Sequence, residues 1–167
     1  MKKWIGLILS AGLIGGVAEI IWVMAYGSVS HISSASVAQH ITASFFPALI
    51  DSEGAIYSGI AIHLVLSILL AGIFIAFVWR PCTQYLSTAR QMLIAAVILS
   101  GVWAYNFFIA LPVINPPFVS LMPYSITLVS KILFGVGMGW VLAKNAPHNV
   151  PARSVVAEQS GLRQHAL

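Results

Sequence analysis

"MKKWIGLILSAGLIGGVAEIIWVMAY", residues 1–26, decides the architecture of this chain. Lys2 and Lys3 ahead of an apolar stretch, with Gly16-Val17-Ala18 as a cleavage site, imitate a secretory signal. The apolar run does not stop there, and continues through Ile20, Ile21, Trp22, Val23 and Met24 to Tyr26. About 23 residues at about 1.5 Å each span a hydrocarbon core of about 30 Å, so a retained membrane helix is expected.

Composition points the same way. Of 167 residues, 59% are hydrophobic and 7% charged, against about 25% charged in a soluble domain. So few charges cannot cover a water-facing surface, and the class is integral membrane protein. After the span at about 4–26 come three more, at about 56–79, 91–111 and 121–142. They stop at Arg80-Pro81, at Pro112 and before Lys144, and Pro123 falls in the first turn of the last, where its missing N–H costs nothing. Lipid cannot satisfy an open backbone, so each span should be helical. The expected fold is an all-α four-transmembrane-helix bundle over residues 1–144, with a loose tail over 145–167.

Charge sets the orientation. Lys2, Lys3, Arg80, Arg90, Lys144, Arg153 and Arg163 all flank the same side, and of the eight lysines and arginines only Lys131 does not. The positive-inside rule makes that side cytoplasmic, with both termini inside, as in a multi-pass protein of a bacterial inner membrane. The net charge of +4 is thus a topology signal, and nucleic acid is not an expected partner. A single cysteine, Cys82, allows no internal disulfide and no cysteine zinc cluster.

The first outer loop is long. Ser33 or Ser34 can cap a short helix at about 34–46, in which Val37, Ile41 and Phe45 recur at four-residue spacing. An amphipathic anchor on the outer surface is the leading reading, and a lid folded over the bundle the other. The second outer loop, "PVINPPFVS", is short and stiff, which makes spans three and four antiparallel neighbours.

Each span carries a polar residue that lipid disfavours: Glu19, His63, Asn106 and Lys131. Helix rise puts them about 10, 10, 8 and 15 Å below the outer surface, all between it and the midplane. Small residues share their stripes: Gly12 and Gly16 with Glu19, Gly59 with His63, and Gly135 and Gly139 with Lys131. Such stripes face neighbouring helices, so Glu19, His63 and Lys131 should point inward. A lone charge at that depth costs about 2.5–3.5 kcal/mol, and pairing Lys131 with Glu19, directly or through His63 or water, offsets it. The pair can equally be a structural bridge that sets helix register.

Other signals are weaker. A haem through His63 lacks a second axial histidine at matching depth, and copper held by His31, His40 and His63 needs the outer loop to fold inward. Trp103, Tyr105, Tyr124 and Tyr26 could line a pocket for a quinone, lipid or pigment, although aromatic residues at this level more often pack or form interface belts. No phosphate-binding glycine loop, nucleophile elbow or paired metal motif is present. The expected function is therefore a non-enzymatic accessory or subunit protein, with a bilayer, a membrane protein or its own copy as partner. A small proton-coupled carrier using Glu19, His63 and Lys131 is the alternative.

Overall fold

The structure, a computed structural model, describes residues 2–146; the tail beyond, with His148, Arg153, Arg163 and His165, lies outside the described residues. The described chain is all-helical: α1 (Lys2–Val29), α2 (Ser34–Phe45), α3 (Ala55–Thr83), α4 (Thr88–Ile114), α5 (Pro116–Leu121) and α6 (Tyr124–Lys144). α1, α3, α4 and α6 are long and apolar enough to cross a membrane.

These four pack in the order α3–α1–α6–α4, and α6, held on two sides, is the most buried of them. Leu7 and Ala11 of α1, Ala71, Phe74, Ile75 and Trp79 of α3, Ala95 and Leu99 of α4, and Phe134, Met138, Val141 and Leu142 of α6 form one core. That core fills the half of the bundle nearer the termini. Trp79 Nε1 donates to Gln91 Oε1 (2.7 Å) and Gln91 Nε2 to the Leu86 carbonyl (2.8 Å), which clamps α3 to α4 at this end. Farther up, α3 and α4 do not pack along each other.

Glycine explains the close contacts. A Cβ on Gly12 would sit 2.6 Å from Ile68 Cα, one on Gly135 2.5 Å from Ala96 Cα, and one on Gly139 2.8 Å from Met92 Cα. Each glycine lets two backbones approach where any side chain would part them.

Several helix ends differ from the sequence expectation. α3 runs past Pro81 and α4 past Pro112. A proline ring collides with the carbonyl four residues back, and widened turns over Ile75–Thr83 and Asn106–Ala110 relieve the clash without ending the helix. The Gln84 N–H, for example, reaches back five residues to the Trp79 carbonyl (2.9 Å). Pro123 stands ahead of α6 as its cap residue and not inside its first turn, and the segment at 116–121 is a helix of its own.

α2 corrects the outer-loop reading in its details. Ser33 caps it, accepting from the Ala35 N–H at 3.2 Å. Its buried residues are Val37, Ala38, Thr42 and Ala43, whereas Ile41 is half-buried and Phe45 exposed. Small residues win the inner position because α2 lies tight against α3: Ala38 abuts Gly59, and Thr42 Oγ1 donates to the Ala55 carbonyl (2.6 Å). Asn115 Nδ2 donates to the His40 carbonyl (2.9 Å) and to Ser44 Oγ (3.0 Å), joining α2 to the α4–α5 corner. α2 thus caps the end of the bundle opposite the termini.

Candidate functional site

Among the described residues Glu19 is the one buried ionisable group, at 4% exposure. The stripe of Gly12, Gly15 and Gly16 brings α1 against α3 and α6, so the carboxylate two turns along emerges between those helices. Both its oxygens are engaged. Oε2 accepts from Lys131 Nζ at 2.7 Å, a full charge-assisted bond across α1 and α6. Oε1 accepts from Ser130 Oγ at 2.9 Å, a hydroxyl also 2.8 Å from the Thr127 carbonyl.

His63 reaches the same carboxylate from α3, with Nε2 3.8 Å from Glu19 Oε2 and 3.2 Å from the Gly16 carbonyl. A carbonyl only accepts, so Nε2 carries the hydrogen and Nδ1 is left as an acceptor when the ring is neutral. Ser67, one turn further along α3, packs against Gly16 and turns its hydroxyl back to the His63 carbonyl (2.8 Å). One carboxylate, one ammonium and one imidazole therefore meet from three helices, over the ring of Phe134, whose centroid lies 5.5 Å from Lys131 Nζ. Lys131 balances the charge of Glu19, and low-dielectric surroundings strengthen that attraction while making either charge alone costly.

The other sequence candidates fall elsewhere. Asn106 is half-buried, and no hydrogen bond among the described residues joins it to the other three. It begins the widened turn of α4. Trp103 is buried and donates through Nε1 to Thr127 Oγ1 (2.9 Å), one turn above Lys131. Tyr124 meets Trp103, Phe107 and Phe108 in edge and tilted ring contacts at 5.4–6.3 Å. Tyr105 is exposed on the outer surface of α4, and Tyr26 is half-buried on α1. Gly12, Gly16, Gly59, Gly135 and Gly139 all sit at helix contacts. His40 stacks on Phe118 (centroids 6.0 Å apart), away from His63, and no trio of His, Cys, Asp or Glu among the described residues could hold a metal ion.

Sequence reasoning passed over Ser130 and Trp22. Trp22 Nε1 donates to the Ile126 carbonyl (3.0 Å), a second α1–α6 tie above the ion pair. Its signal was position: Trp22 lies one turn after Glu19 on the same face. No family model, curated protein or solved structure matches this chain, so the site stands on its own geometry.

Proposed function

We propose that this chain is a non-enzymatic accessory or subunit protein of a bacterial inner membrane, its termini in the cytoplasm, whose Glu19–Lys131–His63 cluster locks α1, α3 and α6 in register. The observation that carries this reading is the saturation of Glu19: each oxygen has a partner from α6, and the carboxylate is buried. Such a group orders helices at one depth and one rotation. Its partners are the bilayer and a membrane protein or a second copy.

A proton-coupled carrier built on the same cluster has less support. Toward the termini, Phe134, Met138 and Leu99 fill the bundle, and Ser67 and Ser100 turn their hydroxyls to carbonyls of their own helices. No polar relay continues from the cluster through that half among the described residues.

The test is a stability cycle in detergent or bicelles. Lys131→Met leaves a buried carboxylate unpaired and should lose about 3–5 kcal/mol, while Glu19→Gln with Lys131→Met should recover most of it. Loss of pH-driven substrate uptake in the stable double variant, in place of any change in assembly, would overturn the accessory reading.

A further inference from the structure

Two polar groups of the cluster remain unspent. Lys131 Nζ has three donors, and among the described residues a single one is used, on Glu19. His63 Nε2 is used on Gly16, and its Nδ1 has no partner among the described residues. Neither side chain is closed off: counting side-chain atoms alone, His63 is 18% and Lys131 19% exposed, against 6% for Glu19. Because both approach Glu19 Oε2, His63 Nε2 and Lys131 Nζ are at most about 6.5 Å apart, with Nδ1 two bonds farther round the imidazole ring. Unused donors on Lys131 and an unused acceptor on His63 thus flank one carboxylate, at a depth where lipid offers no partner.

The surroundings narrow the chemistry. Glu19 already cancels the ammonium charge, so the open face is neutral overall and does not call for an anion. An unused donor and an unused acceptor that flank one carboxylate match a hydroxyl set between them, which accepts from Lys131 and donates to His63 Nδ1. A carbonyl could satisfy Lys131 alone. One turn above, Thr127 carries Trp103, and Tyr124, Phe107 and Phe108 complete an aromatic wall on α4 and α6. α3 and α4 are not packed along each other below the α2 cap, so a membrane-borne molecule would approach on that side.

We infer that the open face of Lys131 and His63 binds the hydroxylated aromatic head of a membrane-borne molecule, of the hydroquinone class, its tail leaving between α3 and α4. This goes beyond the register-locking role, because a lock needs no open donors, and it stands or falls separately from it.

The experiment uses the full chain in nanodiscs under anaerobic conditions, with decylhydroquinone as probe. Saturable binding is expected, with the nitrogen resonance of His63 Nδ1 in a ¹⁵N-histidine sample moving on saturation. The O,O-dimethyl ether, which cannot donate, should bind about tenfold or more weakly, the loss of one hydrogen bond. Glu19→Gln with Lys131→Met, a pair chosen to keep the fold, should abolish saturable binding, and His63→Phe should weaken it about tenfold. Melting temperatures establish that both variants are folded. Absence of saturable binding, equal affinity for the dimethyl ether, a stationary His63 resonance, or decanol competing as well as the hydroquinone would each overturn the inference. Stability results on the same variants test the lock independently, so the two failures are distinguishable.

Discussion

At the scale of single residues, the cluster shows which polar groups announce themselves in a sequence. Lys131 does so because an ammonium amid Val, Ile, Leu and Phe requires a counter-charge, and Glu19 is the one acidic residue at a comparable depth. Ser130 does not, because serine in an apolar helix usually bonds its own backbone and carries no cost to explain. Yet Ser130 closes the second carboxylate oxygen at 2.9 Å. Ser130→Ala should cost about 1.5–3 kcal/mol, the range for a hydrogen bond to a charged group. Reversible unfolding in mixed micelles measures it, and a change below about 0.5 kcal/mol, the surface-substitution range, would show that the hydroxyl serves the Thr127 carbonyl alone. Asn106 is the converse case. Its polarity placed it with the other three, but it lies in a widened turn upstream of Pro112, and helical rise alone cannot register the rotation such a turn introduces.

At the scale of helices, small residues carried more information than large ones. The stripes Gly12/Gly16 and Gly135/Gly139 mark contacts because a glycine in a long apolar helix has no propensity reason to recur every four residues. In α2 the large residues misled in part: of Val37, Ile41 and Phe45 at four-residue spacing, Val37 is buried, but Ile41 is only half-buried and Phe45 is left outside, while Ala38 and Thr42 meet α3. Hydrophobicity ranks poorly where the exterior can be as apolar as the interior. The prolines misled likewise, since a helix held by neighbours absorbs Pro81 and Pro112 in widened turns. The contrast between glycines is testable. Gly135→Ala puts a methyl 2.5 Å from Ala96 Cα and must move α4 from α6, at a cost of about 1–3 kcal/mol or more. Gly101→Ala meets nothing within 4 Å, and should be neutral or stabilising by up to about 1 kcal/mol through helix propensity. Thermal unfolding of the two variants side by side checks the sign of each, and a stable Gly135→Ala protein would mean that α4 and α6 are not in close contact.

For the whole molecule, the two ends of the bundle do different work. The end nearer the termini is dry and interlocked, with Phe134, Leu99 and Met138 at 0% exposure and Trp79 tied to Gln91. The opposite half holds the polar cluster and is closed by α2 and α5. Basic residues follow the same division. Lys3, Arg80, Arg90 and Lys144 lie at the interlocked end, and Asp51 and Glu53 lie in the connection beside α2. That asymmetry supports the orientation proposed above, because positively charged flanks are retained on the cytoplasmic side. Cys82, the chain's single cysteine, is exposed in the last turns of α3 and reports on the interlocked end without any substitution. A membrane-impermeant maleimide should label it in inverted vesicles and leave it untouched in intact spheroplasts. Ser52→Cys in a Cys82→Ser background moves the reporter to the exposed connection before α3 and should reverse the pattern. Labelling of Cys82 in intact spheroplasts, with protection of residue 52, would turn the molecule over and place the open face of Lys131 and His63 nearer the cytoplasm.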